Sequence, residues 1–230
     1  MVSSESEVGM ATVTVAGELL QLLPERVVFW PRRSTLLVAD AHFGKTAAFR
    51  AAGIAAPEGG LSDDLQRLSQ AIARTDAARV IFLGDLLHAR QGRVDHVTAR
   101  VAAWRAEHSH RQFMVVRGNH DRHAGDPPLE WQMICKDEPI VELPLVFCHA
   151  PDAATNGYVL AGHVHPGIRL RGRAGLRARL PCFVIGPRRM ILPAFGSFTG
   201  SASVRPAPGD RIYVIAGDVL VEVQCARRAG

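Results

Sequence analysis

Three times in its first half the chain runs through a short apolar stretch and then breaks into polar residues. Ser34-Thr-Leu-Leu-Val-Ala39 leads into Asp40-Ala41-His42-Phe43-Gly44-Lys45. Ala78 to Leu83 leads into Gly84-Asp85-Leu86-Leu87-His88, and Phe113 to Arg117 into Gly118-Asn119-His120-Asp121. Runs of this length without alternation suit strands buried on both faces. Helical spacing lies between them. Leu65, Leu68, Ala71 and Ile72 predict a helix capped at Ser62, with Asp63 and Asp64 in its first turn, to about Arg74. Val97, Val101 and Trp104 predict another over Val94 to His108, and a short one is expected from Lys45 to Ala52. The pattern is β-α-β-α-β and argues for a parallel sheet. In such sheets ligands bind beyond the carboxyl ends of the strands.

Beyond Asp126 the texture changes to short strands with little helix between them. They are expected at Trp131 to Cys135, Leu145 to Cys148, Tyr158 to Ala161, Ile168 to Arg173, Pro181 to Ile185, Met190 to Leu192, Arg211 to Ile215 and Val219 to Val223. Gly217-Asp218 reads as a hairpin turn. Ala11 to Val15, Leu19 to Leu23 and Val27 to Trp30 add strands near a sheet edge. A chain of 230 residues suits one α/β domain, expected over 11–226, between a flexible N-terminus (1–10) and a short tail (227–230). Two sheets packed face to face, helices outside, would gather the strand ends at one rim.

No apolar run reaches eighteen residues, so no membrane helix is expected. The N-terminus lacks a basic start and an apolar core, and a cytoplasmic location follows as the default. Cys135, Cys148, Cys182 and Cys225 are scattered, form no CxxC, and read as small hydrophobes. The net charge of +5 is unevenly spread: Ala153 to Gly209 contains no carboxylate and eight arginines, leaving −3 elsewhere. A one-sided basic region favours a polyanionic partner, nucleic acid first; the alternative is an arginine-rich solvated surface.

Two later clusters join the three above: His149 after Val146-Phe147-Cys148, and Gly162-His163-Val164-His165. Asp40 and His42, two residues apart, would point the same way in extended chain and could grip one ion; so would His163 and His165. Carboxylate, imidazole and amide oxygen together suit Mn, Fe or Zn. Any one cluster could be a turn or a hydrogen-bonded histidine. Five, each at a strand end, leave little room for that.

The order D-x-H, G-D-x-x-H, G-N-H-D, H, G-H-x-H from about Leu36 to His165 resembles the calcineurin-like metallophosphoesterases. The resemblance implies an α/β double-layer αββα sandwich with mixed sheets and two divalent metal ions at its rim, Mn foremost, with Fe or Zn as alternatives. One ion would take Asp40, His42, Asp85 and His165; the other Asp85, Asn119, His149 and His163. Asp85 would bridge them and His120 would be the acid/base histidine. Two such ions, roughly 3.5–4 Å apart, can share a hydroxide and clamp both oxygens of an in-line displacement. Many phosphatases of the family carry G-D-x-x-D-R-G at the second motif. His88 stands there instead, which resembles the nuclease branch, where two histidines flank the scissile phosphate; His88 would position or assist His120, or merely cap a loop.

Leu36 to Lys45, Gly84 to His88, Val116 to Asp121, Gly162 to Pro166 and Leu192 to Gly200 resemble the bacterial ligase-associated DNA-damage-response endonucleases. That implies a DNA phosphodiester substrate and a functional association with an ATP-dependent DNA ligase, an exonuclease and a helicase. Arg169, Arg171 and Arg173 alternate along a predicted strand just after His165 and form the best candidate for a phosphate-tracking strip. Phe195 to Gly200 could stack or shape a loop, or be core and turn. A small-molecule phosphodiesterase or phosphomonoesterase is the second reading, and a non-catalytic scaffold on the same fold the third.

Overall fold

The first β-sheet follows chain order strand by strand. The structure, a computed structural model, describes residues 9–57, 59–152, 156–171 and 177–223. Strands β1 (Ala11–Val15), β2 (Glu18–Leu23), β3 (Val27–Trp30), β4 (Thr35–Val38), β5 (Arg79–Leu83), β6 (Gln112–Val116) and β7 (Ile134–Lys136) lie side by side in that order. β1 to β4 are antiparallel; β4 to β7 are parallel. Short links join antiparallel neighbours, whereas parallel neighbours need crossovers. The crossovers hold α1 (Lys45–Ala51), α2 (Gly60–Thr75), α3 (Asp95–Glu107) and α4 (Asn119–Ala124).

The second sheet is built from β8 (Ile140–Glu142), β9 (Leu145–Phe147), β10 (Tyr158–Ala161), β11 (Pro166–Arg171), β12 (Arg177–Ile185), β13 (Arg189–Ile191), β14 (Ala202–Ser203), β15 (Arg211–Ala216) and β16 (Val219–Val223). Its order is β14-β11-β12-β13-β10-β9-β8, with β15 paired to β12 and β16 to β15. β9, β10 and β13 run parallel, while β8, β12, β15 and β16 pair antiparallel with their neighbours. Both sheets are therefore mixed, as expected. The turn at Gly217-Asp218 joins β15 to β16, with Gly217 at φ +67°.

Strand periodicity divides the apolar residues between faces. Leu37, Ile81 and Leu83 of the first sheet and Phe147, Leu160, Phe183, Tyr213 and Ile215 of the second share one core between the sheets. Trp30 and Phe147 meet edge to face across it, centroids 6.1 Å apart, and the Trp30 indole donates to Glu18 at 2.7 Å. On the other face of the first sheet, Leu36, Val38, Val80, Phe82 and Phe113 pack against Leu65, Leu68 and Ile72 of α2 and Val101 and Trp104 of α3. All four α-helices among the described residues fall between β4 and β7 in sequence. The far face of the second sheet buries Cys182, Val184, Ile191, Ile212 and Val214 as a cluster of their own.

Several local expectations are corrected. Helix α2 begins at Gly60 behind Gly59 in the left-handed region, so Ser62 lies inside the helix and caps nothing. Trp131 closes a 3₁₀ turn, Leu129–Trp131, and the strand starts only at Ile134. Its ring fills the helix-side core and its indole donates to the Thr98 carbonyl at 3.1 Å, so burial, not pairing, fixes it. The polar end of β6 enters the short helix α4 directly. Met10, expected in a flexible end, packs on the core. Residues 1–8, Arg173 and the expected C-terminal tail lie outside the described residues.

An ion pair links the sheets at the end opposite the polar clusters. Arg79 of β5 grips Glu142 of β8 through both oxygens, at 2.7 and 2.8 Å. The paired guanidinium holds the Glu142 carboxyl below its ordinary range. A depressed folded-state pKa stabilises above the unfolded value, and that contribution is lost as pH falls through the folded value. Glu142→Gln is therefore expected to cost about 1 kcal/mol at pH 7. Urea melts of both proteins should converge as pH drops below the depressed value.

Candidate metal centre

The polar clusters lie beyond the carboxyl ends of parallel strands in both sheets. Asp40 and His42 follow β4, Asp85 and His88 follow β5, and Asn119 and His120 open α4 after β6. From the second sheet come His149 after β9 and His163 and His165 between β10 and β11. The first two loops stay in register after their strands end. Asp40 N–H donates to the Gly84 carbonyl (3.2 Å), His42 N–H to that of Asp85 (2.9 Å) and Phe43 N–H to that of Leu86 (2.7 Å).

Asp40 and His42 do not sit in extended chain. Their φ values are +54° and +48°, and Asp85 (+52°), His163 (+68°) and His165 (+50°) share the left-handed region. The expectation that i and i+2 point alike because the chain is extended is thus corrected, and His163 and His165 do not share one set of donors: His165 joins Asp40 and His42, His163 joins Asp85 and His149. The side chains converge because hydrogen bonds between neighbouring loops impose an uncommon backbone conformation. Two motif glycines are needed for close approach. A Cβ on Gly84 would lie 2.2 Å from His149 Nδ1, and one on Gly118 would lie 2.2 Å from Asp85 Oδ1.

Two sets of electron-rich atoms result. In the first, His165 Nε2 lies 3.4 Å from both His42 Nε2 and Asp40 Oδ1. In the second, His149 Nε2 lies 2.9 Å from Asn119 Oδ1, 3.0 Å from His163 Nδ1 and 3.4 Å from Asp85 Oδ1. The other oxygen of Asp85 faces the first set, 3.9 Å from His42 Nε2. Several outward positions are satisfied by the protein, although His42 Nδ1 is buried without a partner among the described residues. His149 Nδ1–H donates to the Leu83 carbonyl (3.1 Å), which leaves the Nε2 lone pair inward. His163 N–H donates to Asp40 Oδ2 (2.8 Å) and His120 N–H to Asp85 Oδ1 (2.9 Å). Asp40 Oδ1 is buried and accepts no hydrogen bond. Burial foremost, then the Lys45 charge, pushes His42 down to about 2, so its imidazole is neutral. The neutral His42 imidazole, the orphan Asp40 oxygen and the other imidazole and carboxylate donors closing on two points fit divalent cations.

His120 Nδ1–H donates to the His88 carbonyl at 2.7 Å, which turns Nε2 toward the cleft, 3.9 Å from Asp85 Oδ2. The two rings stack, centroids 5.1 Å apart and 21° from parallel. Burial, helped by Lys45 and His120, pushes His88 down to about 4. His88 is thus a neutral ring against the second histidine, not a loop cap. Together with His42 these two form a further group of three histidines that strand-end reading did not single out. Asp121 accepts from Leu87 N–H and Gly118 N–H, both at 2.9 Å, and braces the turn.

Of the basic residues flanking the motifs, Lys45 feels both Asp40 and Asp85. Arg117 is paired with Asp126 (2.7 Å), and Arg50 ties down the Ala56 and Pro57 carbonyls. Arg169 is exposed on β11, Arg171 is placed by its backbone alone, and Arg173 lies outside the described residues. Two supports escaped the sequence reading, and so did one ring of an aromatic pair. Glu138 accepts from His149 N–H at 2.7 Å. Buried Asp64, far from any motif, accepts from Ser197 N–H (3.0 Å) and Oγ–H (2.6 Å) and from Arg67 (2.8 Å). Phe49 and Phe198 form a half-exposed aromatic pair at the cleft mouth. Partners 133 positions apart leave no local signal.

A family model described as calcineurin-like phosphoesterase matches residues 34–165. The chain belongs to the calcineurin-like phosphoesterases. Its phosphoesterase fold aligns with the crystal structure of the Pseudomonas putida nuclease MPE at 40% identity and a TM-score of 0.82, over 93% of this chain and 100% of that one. Yfce, a phosphoesterase from E. coli, aligns at 16% identity and a TM-score of 0.37, over 81% and 90%. No curated protein sequence matches. Members of the family use a dinuclear metal centre, and the two sets of donors here are candidates for it. No helix among the described residues is long and apolar enough to cross a membrane.

A methyl group on Gly118 would push directly on the carboxylate between the two sets. Gly118→Ala should therefore lower Mn affinity by about 10–100-fold, the usual cost of disturbing the groups that orient ligands. Calorimetric titration checks it, with circular dichroism unchanged.

Proposed function

We propose that this phosphoesterase is a nuclease that hydrolyses DNA phosphodiesters with two divalent cations, Mn foremost. The observation that carries this is Asp85, whose two oxygens face separate donor sets. Asp40, His42, Asp85 and His165 hold one cation; Asp85, Asn119, His149 and His163 hold the other. Two cations bound there supply Lewis acidity to the phosphoryl group and to the attacking water. His120, with Nε2 on the cleft side, donates a proton to the leaving oxygen or stabilises phosphoryl charge. His88 positions it through the carbonyl bond and the stacked ring.

DNA is favoured over a small phosphodiester by three observations. The likeness to the MPE nuclease covers nearly the whole chain. A histidine occupies the second-motif position where many phosphatases carry Asp. On the β11–β12 pair, Arg169 stands opposite Arg179, and Arg171 opposite Arg177. Like charges in register are unfavourable in isolation and suit a phosphate backbone laid across them. Arg179 donates to the Ser201 carbonyl at 2.6 Å, a neutral partner that leaves its charge uncompensated. Resemblance to the ligase-associated endonucleases extends the proposal to DNA damage response in the cytoplasm, alongside a ligase, an exonuclease and a helicase.

The protein should bind about two Mn ions per chain; one or none at saturation would remove the basis of the reading. His120→Ala is expected to lower turnover by about 10²–10⁴-fold with metal content intact. Replacing Arg169, Arg171 and Arg173 with Gln should slow cleavage of subsaturating DNA, more at low salt than at high. The deciding assay compares single- and double-stranded DNA, a generic phosphodiester and a phosphomonoester, with Asp85→Asn as control. Cleavage of the small esters alone would assign the site to a small substrate.

A further inference from the structure

A row of rings leads out of the cleft. His120 stacks on His88; His88 meets Phe49 edge on at 5.7 Å, and Phe49 meets Phe198 edge on at 5.6 Å. Both phenylalanines are half-exposed, while Phe195, three residues before Phe198, is wholly buried beneath the Arg67 guanidinium, 4.4 Å from its ring centre. The loop carrying Phe198 is tied to the metal-site backbone: Phe195 N–H donates to the Ala39 carbonyl (2.8 Å) and Gly196 N–H to that of Asp40 (3.2 Å). Asp64 holds Ser197 from the other side. Phe198 is thus set at a fixed offset from Asp40. Lys45 Nζ lies 6.0 Å from the Phe49 ring centre and interacts with Asp40 and Asp85, placing positive charge between the ring pair and the site.

We propose that Phe49 and Phe198 are a stacking step for an unpaired nucleobase next to the scissile phosphate, with Lys45 on the neighbouring phosphate. This rests on the nuclease reading and gives it a specificity element. Two aromatic rings kept partly in solvent, Phe49 on α1 and Phe198 on a braced loop, offer a π-face that any base can use. A phosphate over the metal centre brings its adjoining nucleoside outward along the ring row. Bases stacked inside a duplex are not free to reach it, whereas an unpaired one is.

The test compares kcat/KM on oligothymidylate and on an abasic strand of equal length. The wild-type protein should prefer the base-bearing strand by about tenfold, and Phe49→Leu with Phe198→Leu should bring the ratio close to one. Phe198→Trp should keep the preference, which separates loss of the ring from loss of the fold. Its added tryptophan fluorescence should be quenched by oligothymidylate and not by the abasic strand. An unaltered ratio in the double leucine variant would overturn the proposal, as would a wild type that cleaves both strands equally. A wild type that hydrolyses a small diester but neither strand would overturn the nuclease reading itself, and the stacking step with it.

Discussion

Asp85 is the point on which the molecule turns. Its side chain is nearly inaccessible, and the imidazoles of His42, His120, His149 and His163 approach it from four strand ends. Lone pairs brought together where water is scarce repel one another. Burial raises the Asp85 pKa, and the adjacent His149 only partly offsets it. The fold meets part of this with backbone groups, as the N–H groups of His120 and His163 do for the carboxylates and the Leu83 carbonyl does for His149. What remains inward is a pair of negative-leaning concavities, and divalent cations are the natural complement.

Holding them open costs backbone strain. Five residues of the donor sets adopt left-handed φ values, and aspartate tolerates that better than histidine. Such residues persist only where their surroundings over-determine them. Here β4, β5 and β6 lie in parallel register, and their loops go on exchanging hydrogen bonds after the strands have ended. The core that fixes this register is shared with the second sheet, so the histidines of β9 and β10 arrive opposite the carboxylates of β4 and β5. Stability and site geometry are therefore one problem: loosening Trp30 against Phe147 would shift one half of the donor sets against the other.

The parts legible from sequence were those set by neighbouring positions. An apolar run that ends in Gly-Asp or Gly-Asn-His reports a buried strand and its polar terminus together; every proposed metal ligand lies in a polar cluster after such a run, and their division between two ions came from the family resemblance. For Asp40 and His42 the shared direction was expected for the wrong reason, since their left-handed pair delivers the convergence that extended spacing would; for His163 and His165 it was expected wrongly, since each joins a different donor set. Ser62 misled because it is a good cap where the chain uses Gly59. Trp131 misled because an apolar run does not reveal whether burial is by pairing or by side-chain insertion. Asp64 read as a helix-dipole residue, but its charge serves Ser197, 133 positions away. No window along the chain contains that relation.

This division has a physical consequence for how such a centre diversifies. The donor sets belong to strand ends whose register is set by the cores, so any change there perturbs both sets at once. The 195–199 loop touches the same site through only two backbone hydrogen bonds, at Ala39 and Asp40. Further support comes from Asp64 and Arg67 on α2, from Arg26, and from the buried Phe195 ring, all outside the donor sets. Side chains on its outer surface, Phe198 among them, can change without moving a ligand. Chemistry is thereby confined to the rigid rim, and discrimination among phosphoesters falls to a separately anchored loop beside it. Two proteins with identical ligands and different residues at 198 and 49 would share a reaction and differ in what they bring to it.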